Sequence, residues 1–420
     1  MIKLPKKLNA EILPTNVPSN RFKTEDDGIP ELKVRFIDSF TGHIWGFLVV
    51  DDTRRGTSVG GIRLAQDLTL EEMSRLAYAM TLKNSAACLP FGGGKAGLVV
   101  NPALMAKEPK LKSELIALFA EALFSFDNYI SAPDMGTTEY DIQQIYEFNS
   151  KMMGTDTHAR GGVGRESNHG GIPIDDWELT AHGLFTAIKT LEDLGYGIKL
   201  KGARVVIQGY GNVGAPIASK LYSEGAVIVG ASDINTGLWD PAGLNTEQLN
   251  RVRNTPGGLH NYHSKVDRRF NSNQVDWLLE APCDILVPAA RPDAITARNA
   301  DRIQCKVILQ GANSPINKMT DYYLSNRRNI ISLSDFIVNS GGIIGCAVEL
   351  TMKTDIDYKK KVEMKGTRLY TESLINETIS KNIKQVFSEA TARDGTDIFF
   401  REKAVSLAKN RLQTPEDNWL

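Results

Sequence analysis

The sequence has no apolar run long enough to cross a bilayer, no low-complexity tract and no repeat of solenoid period, so packed globular domains are expected. It also lacks an excess of either charge. Lys and Arg number 49 against 50 Asp and Glu, a formal net charge of -1, and no global field would draw in nucleic acid or an anionic membrane surface. The expected partner is a small uncharged or zwitterionic molecule. Cysteine is scarce: Cys88, Cys283, Cys305 and Cys346 stand far apart, with no C-x-x-C pair and no Cys/His cluster at zinc-site spacing. They read as reduced core thiols, with neither a disulfide framework nor a metal site. The start, MIKLPKKLNAEILPTNVPSN, has lysines but no apolar stretch of signal length behind them, and the expected address is cytoplasmic.

What is present is ordinary folded-protein material, 42% hydrophobic and 24% charged. At 420 residues the chain exceeds what one core usually supports, which predicts two domains. After a polar, proline-bearing stretch of about thirty residues, Leu32 to Asp51 alternates as β-strand does. Thr69-Leu70-Glu71-Glu72 is a capping-box sequence ahead of Met73, Leu76, Ala77 and Met80, predicting a helix towards Ala87. Helical spacing recurs over Ser113–Phe126, Asp176–Leu194 and Lys361–Phe387. From Ala203 to Ile234 an apolar run, a glycine turn, a helical stretch and a second apolar run make one βαβ unit, and short β-branched runs at Asp284–Val287 and Lys306–Leu309 suit buried parallel strands.

Gly209-Tyr210-Gly211-Asn212-Val213-Gly214 contains G-x-G-x-x-G. The spacing alone is weak, but here it follows a strand pattern and opens a helix. Gly209 can make the tight turn, Gly211 can admit a pyrophosphate and Gly214 can bring helix and strand together, with Asn212 and Val213 presenting backbone N–H groups. Asp233 lies nineteen residues past Gly214 at the end of the next strand. A carboxylate there can bind ribose hydroxyls and repel a 2'-phosphate, favouring NAD while NADP remains admissible. A solvated strand-end aspartate is the plainer alternative.

Upstream, Phe91-Gly92-Gly93-Gly94-Lys95-Ala96-Gly97 sets a lysine among four glycines, and Lys83 lies twelve residues earlier near the end of a predicted helix. Glycines let backbone approach a ligand, so Lys95 is expected to project into a crowded pocket. Two close ammonium groups and burial would lower a lysine pKa towards catalytic use; in isolation a lysine pair reads as solvated surface. Asp134, in Ser131-Ala132-Pro133-Asp134-Met135-Gly136, taken alone is a turn or cap residue.

These pieces, in this order, resemble the glutamate, leucine, phenylalanine and valine dehydrogenase family over about residues 35–415: Gly60-Gly61-Ile62-Arg63, Lys83, the glycines before Lys95, Pro133-Asp134-Met135-Gly136, Gly170-Gly171-Ile172-Pro173, Thr180, the glycine turn, Gly311-Ala312-Asn313 and Asn339-Ser340-Gly341-Gly342. The resemblance implies an α/β fold of two domains separated by a cleft. One is an α/β substrate (dimerisation-type) domain over 1–180 plus 355–420, and the other a Rossmann domain over 181–354. It implies reversible oxidative deamination of an L-amino acid to a 2-oxo acid and ammonium, and a homo-oligomer, a hexamer being favoured. Carried over, Lys83 binds the substrate α-carboxylate, Lys95 activates water, Asp134 moves protons with the amine, Gly60 and Gly61 border the substrate, Thr180 and Asn313 orient the nicotinamide carboxamide, and Ala290 forms cofactor wall.

The chain departs from the pattern at informative places. Glutamate-specific members carry a lysine where Val59 stands and a serine where Cys346 stands. A second substrate carboxylate buried against these residues would be unpaired, so a neutral or apolar amino acid is expected over glutamate, unless Arg63 or Arg165 supplies the missing charge. Ala96, Ser340 and His182 also depart, and a lone helical histidine reads as structural. The rivals are a glutamate dehydrogenase with a rearranged side-chain pocket and a non-catalytic dinucleotide-binding relative. Retention of Lys83, Lys95 and Asp134 argues against the second.

Overall fold

The computed structural model describes residues 4–15, 29–155, 161–391 and 399–414. Part of the polar N-terminal stretch, 1–3 and 16–28, lies outside the described residues. The chain forms two compact units, Met1–Pro173 with Gly345–Thr367 and Ala408–Leu420, and Ile174–Ile344 with Arg368–Leu407.

The first unit is built on a six-stranded sheet of β1 (Asn9–Leu13), β2 (Leu32–Ile37), β3 (Ile44–Asp52), β4 (Ser58–Ala65), β5 (Gly92–Val99) and β6 (Tyr129–Pro133), in the order β1-β2-β3-β5-β4-β6. β1, β2, β3 and β5 are antiparallel neighbours, while β4 runs parallel to both β5 and β6. Period-two alternation gives each strand two faces. Val34, Phe36, Leu48, Ile62 and Leu98 pack against Phe119 and Ile142 of the helices Pro109–Leu123 and Glu139–Met153. Phe47 and Val49 meet Met73, Leu76 and Ala77 of the helix Leu70–Ala86, whose Thr69 cap accepts from the Glu72 N–H as the capping box predicts.

The glycine run, expected to bring backbone close to a ligand, is strand β5 itself. A Cβ on Gly93 would lie 2.2 Å from the Thr81 nitrogen, and one on Gly97 would lie 2.5 Å from Leu68. The 70–86 helix therefore rests directly on bare backbone, and Lys83 rides in its last turn.

The second unit holds β7 (Arg204–Gln208), β8 (Val227–Ser232), β9 (Thr236–Trp239), β10 (Arg268–Asn271), β11 (Ile285–Pro288), β12 (Val307–Leu309) and β13 (Ile331–Leu333), ordered β10-β9-β8-β7-β11-β12-β13. β8, β7, β11, β12 and β13 are parallel, while β9 and β10 return antiparallel at one edge. Strand order reverses between β7 and β11, the switch point at which open α/β sheets bind ligands.

The units divide differently from the expected domains. The helix Leu179–Asp193, with Thr180, lies in the second unit, and so does most of the helix Thr367–Thr391. The reason is packing: Thr186 Oγ1 donates to Asn376 Oδ1 at 2.6 Å, and a Cβ on Gly183 would meet Ile379 at 2.8 Å. The helix expected from Asp176 starts at Leu179, because Glu178 is left-handed at φ +56°. The pattern over Lys361–Phe387 is two helices, Ile356–Lys365 and Thr367–Thr391, parted at Gly366. No helix among the described residues is long and apolar enough to cross a membrane.

A buried ion pair closes the first unit. Arg165 Nε lies 3.0 Å from Glu349 Oε1 with both side chains 1% exposed, and Glu349 also accepts from the Gly164 and Ile172 N–H groups. Burial pushes the Glu349 pKa up and Arg165 opposes it. Arg165→Met should therefore cost roughly 3–5 kcal/mol by stranding the carboxylate, seen as a lower denaturation midpoint. The double change with Glu349→Met should recover much of that loss.

Candidate active site

The odd-numbered positions of β4 share one face, and Gly61 shows what lies over it. A Cβ there would sit 2.6 Å from Asp134 Cβ and 3.2 Å from Lys95 Nζ. The missing side chain is the space in which Lys95 Nζ meets Asp134 Oδ2 at 2.7 Å, with the two side chains 4% and 9% exposed. Arg63, two positions along the same face, donates Nε to Asp134 Oδ2 at 3.0 Å and Nη1 to Glu72 at 2.8 Å. Asp134 is presented by a turn after β6: its N–H donates to Thr137 Oγ1, which donates onward to the Ile62 carbonyl. Gly60 is tighter still, because a Cβ would fall 1.8 Å from the Gly94 oxygen, and its carbonyl accepts the Tyr129 hydroxyl.

The electrostatics follow from this geometry. Burial alone would raise the Asp134 pKa, but Lys95 and then Arg63 more than reverse it and hold the carboxylate ionised. Burial pushes the Lys95 ammonium pKa down, Asp134 opposes that, and Arg63 adds to the depression. The cation expected to press on Lys95 was Lys83; Arg63 fills that role. Lys83 is buried. Val59 is 0% exposed, on the same face of β4 as Gly61 and Arg63. Cys346, on the helix Gly341–Thr354, is buried beside Glu349, and burial followed by that carboxylate raises its thiol pKa.

In the second unit the glycine turn has the shape a dinucleotide needs. Gly209 has φ +91° and packs on Ala290, where its Cβ would lie 2.8 Å from the Ala290 Cβ; a Cβ on Gly214 would fall 1.9 Å from the Gly209 oxygen. Gly211 by contrast faces open space, with nothing within 4 Å of a Cβ. Val213, the N-cap of the helix Gly214–Ser223, offers no side-chain cap. These N–H groups suit a pyrophosphate, so the residues present fit the group. Asn212 donates to Asp175 Oδ2 at 2.9 Å.

Asp233 is more occupied than a ribose ligand need be. Its Oδ1 accepts from the Asn235 and Thr236 N–H groups and its Oδ2 from Leu259 N–H, three of about four acceptor positions. It organises two turns.

Asn313 and Thr180, expected at the nicotinamide end, border the short segment 339–342. Asn339 Nδ2 donates to the carbonyls of Gly311 and Ala312 and to Asn313 Oδ1, while a Cβ on Gly342 would lie 3.1 Å from Thr180 Oγ1. Ser314 is left-handed at φ +50° and is held by Asp335 Oδ2, 2.8 Å from its nitrogen. That conformation costs a residue with a Cβ about 1–2 kcal/mol. Asp335 and Asn339 went unrecognised as turn-holding residues in the sequence, and Arg63 was read there as a motif residue and a possible substrate partner, not as the partner of Asp134.

A phosphate-ready turn at a sheet switch point, in a chain that also buries a lysine–carboxylate pair, defines a nicotinamide-dependent oxidoreductase. The family model for Glutamate/Leucine/Phenylalanine/Valine dehydrogenase matches residues 170–416, and that for the Glu/Leu/Phe/Val dehydrogenase dimerisation domain matches 31–151. A glutamate dehydrogenase of Thermotoga maritima is 35% identical over 318 residues, 75% of this chain and 74% of the relative. An NADP-specific glutamate dehydrogenase of Saccharolobus shibatae is 32% identical over 76% of this chain and 74% of its own length. A catabolic NAD-specific one of Bacillus subtilis is 32% identical over 69% and 66%. In fold the chain is similar to the leucine-bound hetero-hexameric glutamate dehydrogenase of Thermus thermophilus, with TM-score 0.74 at 24% identity, covering 98% of this chain and 89% of that one. The chain belongs to the Glu/Leu/Phe/Val dehydrogenase family and is an NAD(P)-dependent amino acid dehydrogenase.

Arg63 depresses both Asp134 and Lys95. Arg63→Gln should therefore raise both pKa values and move the acid limb of the kcat/KM profile upward by about one pH unit. An unmoved limb would show that Arg63 is not felt by the reacting groups.

Proposed function

We propose that Lys95 and Asp134 carry the proton transfers of an oxidative deamination, with Lys83 holding the substrate α-carboxylate. The observation that carries this reading is the 2.7 Å Lys95–Asp134 contact in the space left by Gly61. Hydride leaves Cα only from a neutral amine, so the substrate ammonium must first lose a proton, and the ionised Asp134 carboxylate is placed to take it. The bound nicotinamide supplies the hydride acceptor. Lys95, its basicity lowered by burial, then removes a proton from the water that attacks the iminium carbon. A carboxylate gripped by Lys83 fixes Cα, since hydride transfer tolerates little misplacement.

Gly209, Gly211, Asn212, Val213 and Gly214 hold the pyrophosphate and Asp233 borders the adenosine ribose, with NAD the first cofactor and NADP also admitted. Thr180, Asn313 and Ala290 line the nicotinamide end. A closed homo-oligomer, a hexamer favoured, and a cytoplasmic address complete the proposal.

For the substrate, glutamate now stands first, because the curated relatives at 32–35% identity are glutamate dehydrogenases. This reverses the order expected from Val59 and Cys346. A neutral L-amino acid is the second reading, favoured by the fully buried Val59. Both arginines considered as replacement partners are engaged, Arg63 with Asp134 and Glu72 and Arg165 with Glu349.

The test is NAD and NADP reduction with each common L-amino acid. Turnover of glutamate supports the first reading; turnover of leucine, valine or phenylalanine without glutamate supports the second. Lys95→Ala should abolish turnover, by about a hundred-fold or more, while dinucleotide affinity stays within two-fold or so of the unaltered protein. Surviving turnover would remove Lys95 from its assigned role.

A further inference from the structure

A buried polar relay lies behind the Asn313 turn, and the reaction as described makes no use of it. Gln310, 0% exposed at the end of β12, accepts the Asp335 N–H through Oε1 at 3.2 Å. Its Nε2 donates to Ser332 Oγ at 2.9 Å and to Asp321 Oδ2 at 3.4 Å. Asp321, on the helix Lys318–Arg328, is 0% exposed, and its Oδ1 finds no hydrogen-bond partner among the described residues. Asp335 in turn holds the left-handed Ser314 N–H at 2.8 Å.

Two charged groups face Asp321 from the elements around it. Asp335 begins the helix Asp335–Val338, and Arg401 comes from the helix Phe400–Gln413, its Nη1 3.7 Å from Asp335 Oδ1. Arg401 is thus in ion-pair range of Asp335, and its charge also acts on Asp321 through space. A second buried negative charge weakens the grip of the first on its partners, and a buried carboxylate oxygen with no donor calls for a reason.

We propose that Asp321 is a positioning residue for the nicotinamide end of the site: through Gln310, Asp335 and Arg401 it sets how firmly the Gly311–Ser314 turn is held. When Asp321 is neutral, Arg401 is left to Asp335, and Asp335 holds Ser314 without a like charge behind it. When Asp321 is ionised, it draws on the same arginine and loosens the turn. Burial lifts the Asp321 pKa to about 6, Arg401 working against it and Asp335 with it, so both states are reachable under mild conditions.

This rests on the reading of Asn313 as a nicotinamide contact, so the test needs one readout of the turn and one of the cofactor. The turn is read by amide exchange of a peptide covering 311–314, and the cofactor by NADH affinity from fluorescence. Both are followed from about pH 5.5 to about pH 7.5 on the unaltered protein and on Asp321→Asn, which keeps the shape and removes the charge. In the unaltered protein, turn protection and NADH affinity should each fall about five-fold as pH rises. In Asp321→Asn both should stay at their acid-side values across the range.

A variant that keeps the unaltered pH profile of turn protection, or stays flat at the loose value, overturns the proposal. Turn protection that behaves as expected while NADH affinity does not follow, together with unchanged affinity in Asn313→Ala, upholds the relay and refutes the role given to Asn313. Should Asp321→Asn fail to fold, Asp321→Ser removes the charge with a smaller side chain instead. It should leave turn protection indifferent to pH, and a turn whose protection still falls with rising pH as in the unaltered protein would overturn the proposal.

Discussion

The contact between Lys95 and Asp134 governs the first unit, because it can exist only where Gly61 has no side chain. An ammonium and a carboxylate drawn this far from water are costly unless closely matched. Arg63 and Glu72 complete the matching, so that two cations and two carboxylates alternate over one face of the sheet. The same face demands bare backbone at Gly93 and Gly97, where the 70–86 helix settles onto β5. The buried ion pair and its supporting helix thus depend on one property of the sequence, glycine inside strands where glycine ordinarily weakens a sheet.

Much of the fold was legible because its signals are local. The Thr69 cap, the βαβ unit around Gly209–Gly214 and the buried parallel strands follow rules of period and turn chemistry that need only neighbours in sequence. What failed was non-local. The glycines of Gly92–Val99 read as room for a ligand, and only the approach of Thr81, Leu68 and Met73 explains why glycine is required at 93 and 97. The helix Thr367–Thr391 carries no sequence mark of the unit it joins; Asn376 and Ile379 decide that by meeting Thr186 and Gly183.

The site was read in a similar mixture. Motif order picked out Lys95, Asp134 and the glycine turn, and the structure joins the first two directly. It could not reveal that Arg63 was already spent, since an ion pair between residues 63 and 134 leaves no trace in spacing. Asp233 was read as a ribose ligand from its position alone, yet its carboxylate is largely turned to backbone N–H groups from two loops. Asp335 and Asn339 act on the Asn313 turn from later in the chain, and nothing near either residue announces it.

The first unit is interrupted: its early part ends at Pro173 and resumes at Gly345, whereas Ile174–Ile344 is one uninterrupted stretch of the second. Arg165 must wait for Glu349 to be made before its buried charge is answered. On a ribosome adding roughly 5–20 residues each second, that wait is on the order of ten seconds or more. Through this interval the nascent N-terminal sheet exists with its guanidinium unanswered, while the βαβ sheet made after it has most of its strands to hand. The second unit waits as well, since Arg368–Leu407 completes it, and so neither unit can close its packing until the chain is nearly made.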